Sequence, residues 1–153
     1  MTKIEEKLAE QGYTLPDAAA PIGSYLPYSK SRNLLFISGQ LPFRDGEVIK
    51  GRLGDNMTTV EGAKAAAACA VGIVAQIKAA LNGDFGRIRD IVKLEGFVAA
   101  TPDFEEHPKV INGASDLMAE LFCGRGTHCR TAVGVSSLPL GAAVEIAAIV
   151  SID

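Results

Sequence analysis

The last segment of the chain, residues 142–152, constrains the fold most because it is apolar on both sides of an extended strand. Side chains alternate between the two faces of a strand. One face carries apolar side chains at positions 144, 146, 148 and 150, and the other carries them at positions 143, 147 and 149. Only Glu145 interrupts the second set. The segment therefore predicts a strand with apolar neighbours on both faces and one carboxylate among them.

Four more strands and two long helices are predicted upstream of this segment. The strands are expected at residues 24–30, 33–39, 90–100 and 129–136. Thr58 and Glu61 have the spacing of a capping box and open the first long helix, which Asn82-Gly83 ends. The second long helix is expected at residues 107–122, where apolar side chains recur at helical spacing.

The N-terminal residues predict a short helix over 3–11, ended by Gly12 and followed by a connector rich in proline and alanine. We interpret residues 1–20 as an N-terminal helical extension. The remaining residues, 21–153, have the length of one domain.

The order β-β-α-β-α-β-β predicts a mixed sheet in an α+β fold. Residues 34–37 are apolar at every position, which indicates burial on both faces. Strict alternation in residues 90–100 predicts that Val92, Leu94 and Val98 share one face. Two helices cannot cover both faces of such a sheet, so we expect the uncovered face to pack on another copy of the chain.

Composition argues against several other classes of protein. The net charge of -3 lacks the basic excess of nucleic-acid-binding proteins. We expect no membrane-spanning segment and no signal peptide. With two histidines and three cysteines that lack C-x-x-C spacing, we expect reduced thiols, a cytoplasmic location and no metal site.

Arg130 and Glu145 are the candidate functional groups, because charges within apolar strands are costly unless they are paired or used. A guanidinium can bind a carboxylate through two parallel hydrogen bonds. We therefore predict that Arg130 holds a small acid and that Glu145 handles water or a proton. Each residue also has a structural alternative. Arg130 could form an ordinary surface salt bridge, and Glu145 could pair with Lys93 or Arg130 across an interface.

The chain resembles the RidA family, also called YjgF or L-PSP, over roughly residues 20–153. The resemblance rests on motifs that occur in the family's order. These are Pro21-Ile22-Gly23-Ser24-Tyr25, Phe36-Ile37-Ser38-Gly39-Gln40-Leu41-Pro42, Asn112, Arg130-Thr131-Ala132-Val133, Leu138-Pro139 and Val144-Glu145-Ile146.

The resemblance implies a chorismate-mutase-like fold and a homotrimer with clefts between neighbouring subunits. It also implies hydrolysis of reactive enamines and imines, such as 2-aminoacrylate, to a 2-oxo acid and ammonia without a cofactor. In that chemistry Arg130 holds the substrate carboxylate and Glu145 orients water or shuttles a proton, while Tyr25, Gly39 and Asn112 contact the substrate. His128 is interpreted as a residue of the pocket rim.

Each supporting residue also has a structural interpretation. Tyr25 is also consistent with packing, Gly39 with a bulge and Asn112 with a solvated helix surface. A nucleophilic pair of Cys129 and His128 is disfavoured because neighbouring side chains on a strand point to opposite faces.

The chain departs from the family pattern in several places, and two of these bear on activity: Ala132 stands where a cysteine is common and Ala147 where a second acid is often found. A non-catalytic module that binds 2-oxo acids, or a chaperone-like one, is therefore the alternative function. An endoribonuclease, also attached to the family, ranks third because the chain lacks a basic groove and paired histidines.

Overall fold

The computed structural model describes residues 1–153 and contains a five-stranded sheet and three α-helices. The helices are α1 (Lys3–Glu10), α2 (Thr59–Ala80) and α3 (His107–Phe122). The strands of the sheet are β1 (Tyr28–Ser31), β2 (Leu34–Gln40), β5 (Ile88–Ala99), β6 (Cys129–Val135) and β7 (Val144–Ile152). A separate hairpin consists of β3 (Phe43–Arg44) and β4 (Glu47–Val48).

The sheet is mixed, as predicted, with the strand order β1-β2-β7-β5-β6. Only β5 and β6 run parallel, and every other neighbouring pair is antiparallel. The parallel pair is the one connected through α3, because a parallel connection requires a crossover. The strand β7 lies at the centre, between β2 and β5, and β6 forms an edge.

Both long helices pack on the same face of the sheet, α2 against β7 and β2 and α3 against β5 and β6. The predicted capping box is present at the start of α2, where Thr58 and Glu61 exchange hydrogen bonds with each other's backbone amides. The apolar stripe of α2 is rich in alanine, which permits a close approach to the sheet and to α3. The two helices and one sheet face enclose the hydrophobic core.

Helix α2 is long and apolar enough to cross a membrane by length and composition alone. Most of its apolar stretch is buried inside the fold. Its residues pack against both the sheet and the neighbouring α3, which accounts for their composition as that of a core helix.

The opposite face of the sheet has no covering layer within the chain. Phe36 on β2 is 41% exposed and Val133 on β6 is 40% exposed, and both lie on this open face with Ile149 and Phe97. The prediction that residues 34–37 are buried on both faces is therefore wrong for the single chain. Apolar side chains side by side on an open sheet are typical of a surface that another molecule covers.

Two predicted strands differ in detail from the structure. The first strand begins at Tyr28 rather than at residue 24, because residues 24, 25 and 27 form bends. In β5 a register shift between Ile91 and Lys93 moves Ile91 into the core and leaves Val92 37% exposed. Strict alternation fails there because a bulge adds one residue to one strand of a pair.

The N-terminal helix packs against the body of the protein rather than extending away from it. Leu8 is fully buried in the common core, and Glu5 forms an ion pair with Lys78 of α2 at 2.5 Å. Further along, the carbonyl of Ala19 accepts a hydrogen bond from the side chain of Gln76. The division of the chain at residue 20 stays a prediction, although the segment before it contributes to the same core.

We expect Leu8→Ala to lower the free energy of unfolding by roughly 2–5 kcal/mol, because it removes a fully buried side chain and leaves a cavity. Urea denaturation followed by circular dichroism measures the loss. The control is Leu26→Ala, at a side chain that is 68% exposed, where we expect little change. An equal effect of the two substitutions would contradict the integration of α1 into the core.

Candidate functional site

Glu145 lies on β7 at the end of the open face, beside a small cavity of about 30 Å³. The cavity forms where β2 departs from regular pairing, between Ile37 and Gln40. This irregularity is the bulge that sequence analysis allowed for at Gly39. The residues that line the cavity include Ile22, Tyr25, Gly39, Gln40, Gln76 and Glu145.

Gly39 is required for the position of the Glu145 side chain. A Cβ added at Gly39 would lie 2.8 Å from Cδ of Glu145 and 3.0 Å from its Cγ and Oε1. Real Cβ atoms do not approach other heavy atoms so closely. The missing side chain therefore lets the carboxylate lie directly over the strand, so the structure brings these two predicted site residues together.

The carboxylate of Glu145 has no partner within the chain. It forms no ion pair, since Lys93 pairs instead with Glu95 at 3.3 Å. Partial burial therefore raises the pKa of Glu145 above its ordinary value, because desolvation disfavours the ionised form. A carboxylate with these properties can accept a proton more readily than an exposed one.

Tyr25 also lines this cavity, as the resemblance implied, although it lies in a bend and not in a strand. Its hydroxyl accepts a hydrogen bond from the backbone amide of Ile22 at 3.2 Å. The ring remains 46% exposed and is therefore accessible to a ligand or to another chain.

Two glutamines that sequence analysis did not single out complete the wall of the Glu145 cavity. Gln40 is 7% exposed and Gln76 is 1% exposed, and their side-chain amides contact each other at 3.4 Å. Gln40 stood within the motif that carried the resemblance. The sequence does contain a clue to Gln76, because it is a polar residue among the apolar residues of α2.

A larger cavity of about 480 Å³ adjoins the Glu145 cavity and shares four lining residues with it, Ala19, Gln40, Leu41 and Phe43. This volume is in the range of small-molecule sites. The N-terminal segment supplies one wall through Tyr13, and the β3–β4 hairpin supplies another through Arg44, whose guanidinium carbon lies 5.8 Å from the centroid of the Tyr13 ring.

Arg130 lies elsewhere, on the edge strand β6 and on the helix-covered face. Its guanidinium donates one hydrogen bond to the hydroxyl of Ser115 at 3.0 Å and another to the carbonyl of Pro108 at 3.1 Å. It forms no ion pair within the chain. The surface-salt-bridge interpretation therefore lacks a carboxylate, and the partly buried positive charge remains available to an anion.

His128 lies on the Arg130 side of the strand, as predicted. Its Nδ1 lies 2.6 Å from the carbonyl of Gly126, which can only accept, so this nitrogen carries the proton. Its Nε2 lies 2.8 Å from the hydroxyl of Ser115, within hydrogen-bond distance. Ser115 thus connects Arg130 and His128 and fixes the direction of the guanidinium.

Asn112 is exposed on α3 and belongs to the Arg130 group by position. Pro108, Asn112 and Ser115 follow one another at helical spacing and lie on the same side of α3. Arg130 donates hydrogen bonds to the carbonyl of Pro108 and to the hydroxyl of Ser115. Its side chain therefore lies along the side of α3 that also carries Asn112. Asn112 thus shares the side of α3 that carries the Arg130 contacts, and it does not line the Glu145 cavity.

The predicted site residues form two groups on opposite faces of the sheet. Glu145 is in register with Phe97 on the open face, whereas Arg130 is in register with Leu94, which is buried beneath the helices. Side chains in register on neighbouring strands point to the same face. One copy of the chain consequently cannot bring Arg130 and Glu145 to a single small ligand.

The thiols take no part in either group. Cys129 turns away from His128 and lies 3.3 Å from the carbonyl of Val92, as alternation along the strand predicts. Cys69 is buried in α2, and burial raises its pKa well above the ordinary value. No three side chains of the metal-ligating types cluster together.

Comparison with known proteins identifies a family and close structural relatives. The family model described as "YjgF/chorismate_mutase-like, putative endoribonuclease" matches residues 5–150. Protein TCP17 of Trypanosoma cruzi is 46% identical over 99% of this chain and 95% of its own length. The crystal structure of protein Atu1372 from Agrobacterium tumefaciens, described as of unknown function, is 50% identical, covers 99% of this chain and 93% of its own, and superimposes with a TM-score of 0.94.

More distant relatives carry names that describe an activity or the family. A 2-iminobutanoate/2-iminopropanoate deaminase of Dermatophagoides farinae is 29% identical over 90% of this chain and 93% of its own length. The structure of RidA from the Antarctic bacterium Psychrobacter sp. PAMC 21119 is 26% identical, covers 89% of this chain and 94% of its own, and gives a TM-score of 0.62.

We expect Gly39→Ala to displace the Glu145 carboxylate and to destabilise the protein by about 1–3 kcal/mol through overpacking. Thermal unfolding and the carboxyl chemical shift of Glu145 measure the two effects. Gly124→Ala is the matched control, because no atom lies within 4 Å of the added Cβ there. An unchanged Glu145 signal in Gly39→Ala would contradict the packing described above.

We expect Glu145→Gln to stabilise the chain as a monomer at neutral pH. Because burial raises the folded pKa of Glu145 above its ordinary value of 4.5, the folded chain binds more protons than the unfolded chain between the two pKa values. Stability conferred by the protonated carboxyl group is therefore lost as pH rises through this interval. Melting temperatures of both proteins should converge below pH 4.5. A monomeric variant less stable than the monomeric wild type at pH 7 would contradict an unpaired, desolvated Glu145 within the chain.

Proposed function

The chain belongs to the RidA/YjgF/L-PSP family, and we propose that it is a hydrolytic deaminase of reactive enamines and imines. Its substrates are small imino acids resembling 2-aminoacrylate, and its products are a 2-oxo acid and ammonia. The observation that carries the proposal is the Arg130 guanidinium, which is held in place by Ser115 and Pro108 without any carboxylate partner. The deaminase name of the relative from Dermatophagoides farinae supports the same chemistry.

The proposed site lies between two copies of the chain in a homotrimer. Arg130 and Glu145 point to opposite faces of one sheet, so a ligand that meets both must touch Arg130 of one copy and Glu145 of another. The apolar open face, which nothing in the chain covers, supports such an assembly. Closed rings of identical subunits repeat the same contact and produce equivalent clefts.

The reaction uses the two charged groups in different steps. Arg130 binds the substrate carboxylate and thereby positions the imine carbon. The carbon then reacts with water from a fixed orientation, which removes much of the entropic cost of a bimolecular encounter. Water adds to that carbon while Glu145 accepts its proton.

An enamine such as 2-aminoacrylate first takes a proton from solvent at its terminal carbon and so becomes the protonated imine that water attacks. Glu145 returns the water proton to the nitrogen of the addition product, and the C–N bond then breaks with its electron pair on the nitrogen, so that ammonia leaves. The oxygen forms the C=O bond of the 2-oxo acid and loses its remaining proton to solvent. No redox step and no added reactant are needed besides water.

A non-catalytic protein that binds 2-oxo acids is the second candidate. It is favoured by one observation, since the anchoring of Arg130 depends only on Ser115 and Pro108 and would bind an anion without Glu145. Such a protein would retain carboxylate affinity after Glu145→Gln and would show no turnover with any imine.

Cleavage of RNA, which the description of the family model names, has less support. Acid–base cleavage commonly uses two histidines near one phosphate. His107 begins α3, while His128 contacts Ser115 two turns further along the same helix, which separates them by roughly 12 Å along the axis. The net charge of -3 also disfavours a polyanion.

We expect Arg130→Ala to lower kcat/KM for 2-aminoacrylate about 10–100-fold, because it removes a charge-assisted hydrogen bond to the substrate carboxylate. The substrate is generated in situ and its disappearance is followed. Arg89→Ala is the control, because Arg89 is 65% exposed and pairs with Asp153 at the chain terminus. Equal activity of Arg130→Ala and Arg89→Ala would contradict the proposed role of Arg130.

We expect Phe36→Asp to convert a trimer into monomers, because it places a charge within the apolar open face. Size-exclusion chromatography with light scattering measures the mass. Val60→Asp makes the same change at a side chain that is 67% exposed on α2, on the other side of the sheet, and should leave the mass unchanged. A wild-type monomer would contradict a site shared between copies.

A further inference from the structure

The larger cavity, of about 480 Å³, lies apart from the charged groups of the proposed reaction. Neither Arg130 nor Glu145 lines it. Its walls come from helix α2, from the β3–β4 hairpin and from the N-terminal segment at residues 12–19. Whatever binds in this cavity is therefore independent of the proposed deaminase activity.

The floor of the larger cavity is apolar because of the residues that α2 contributes to it. These residues occupy positions 68, 71, 72 and 75, a spacing that places side chains on one side of a helix. Ala68, Gly72 and Ala75 carry no more than a methyl group, so the helix leaves space above it. Phe43 of the hairpin adds an aromatic ring that is 40% exposed. The cavity therefore offers an apolar surface to the body of a ligand.

The N-terminal wall of the cavity is a strap, residues 13–19, that is fixed at both ends. At one end the backbone amide of Tyr13 donates a hydrogen bond to the carbonyl of Leu8 at 2.9 Å, and Leu8 is buried in the core. At the other end the carbonyl of Ala19 accepts a hydrogen bond from the side chain of Gln76 at 2.9 Å. The wall therefore has a defined position before any ligand arrives, which lowers the entropic cost of binding.

Three charged side chains line the larger cavity, and none of them forms an ion pair within the chain. Arg44 lies over the ring of Tyr13, with its guanidinium carbon 5.8 Å from the ring centroid. Contact with the face of a ring uses no hydrogen-bond acceptor, so the guanidinium keeps donors for a carboxylate. Asp17 of the strap and Asp45 of the hairpin turn are the two acids. The cavity thus presents unpaired charges of both signs above an apolar floor.

A ligand that carries both charges close together matches this lining better than a simple ion does. A simple anion would meet the two acids as well as Arg44, and a simple cation would meet Arg44 as well as the acids. A zwitterionic amino acid has a carboxylate and an ammonium group on one carbon, with its side chain on the same carbon. Its two charges can therefore be matched while the side chain reaches the floor.

We propose that the larger cavity binds a free amino acid with a large apolar or aromatic side chain. Arg44 binds the carboxylate of the amino acid, and Asp17 and Asp45 bind its ammonium group. The side chain of the amino acid lies on the floor that α2 forms, beside Phe43. The strap holds the ligand from the opposite side, which gives the N-terminal segment a binding role besides its packing role.

The test is isothermal titration calorimetry of L-phenylalanine into the intact protein and its variants. We expect Arg44→Gln and the double variant Asp17→Asn/Asp45→Asn each to weaken binding about tenfold or more, because each removes a charged partner of the ligand. Asparagine tolerates the left-handed backbone at Asp45, where φ is 52°, so the double variant should fold. Arg32→Gln is the matched control, at an exposed arginine in the β1–β2 turn, and should bind as the wild type does.

Two analogues test the requirement for both charges. 3-Phenylpropanoate lacks the ammonium group and 2-phenylethylamine lacks the carboxylate, so we expect each to bind about tenfold or more weakly than L-phenylalanine. Glycine has both charges without an apolar body and should also bind more weakly, because it cannot use the α2 floor.

No binding of L-phenylalanine or L-leucine up to about 10 mM would overturn the proposal. Equal affinity for L-phenylalanine and 3-phenylpropanoate would also overturn it, because the acids would then have no role. Binding that is lost in Arg130→Ala and kept in Arg44→Gln would place the amino acid in the proposed deaminase site and overturn it as well. A protein that binds L-phenylalanine through Arg44 but turns over no imine would contradict the deaminase proposal and support this site.

Discussion

The arrangement of this molecule depends on a sheet that is covered on one face only. Because side chains alternate along each strand and neighbouring strands are in register, Arg130 is fixed on the helix side and Glu145 on the open side. No rotamer change can bring the two groups together through the sheet. A reaction that needs both groups must therefore use two copies of the chain. The apolar open face offers a surface on which those copies can assemble.

The Glu145 cavity depends on contacts from three distant parts of the sequence. The absence of a side chain at Gly39 leaves room for the Glu145 carboxylate. Helix α2 supplies Gln76, and the carbonyl of Ala19 in the N-terminal segment orients the Gln76 amide through a hydrogen bond. The N-terminal residues thereby shape the candidate site besides contributing Leu8 to the core. Their role was open from the sequence, because neither the fold of the main domain nor the family motifs require them.

The regular elements could be predicted because local signals and tertiary packing agree in them. The capping box at Thr58 and the helix over residues 107–122 were both confirmed, and so was the apolar alternation around Glu145. Val92 was misplaced because a bulge shifts the register without a local signal. The contacts of Arg130 with Ser115 and of Gln76 with Ala19 join residues far apart in sequence, and their geometry follows only from packing.

The most direct test of the shared site is subunit complementation between Arg130→Ala and Glu145→Gln. Each variant alone lacks one group in every site and should have little activity. After the two are mixed, dissociated and reassembled, random exchange should give about one quarter of the clefts both native groups, and deaminase activity should return to about that fraction. No recovery, with exchange of subunits verified by mass spectrometry, would show that Arg130 and Glu145 do not act together between two copies.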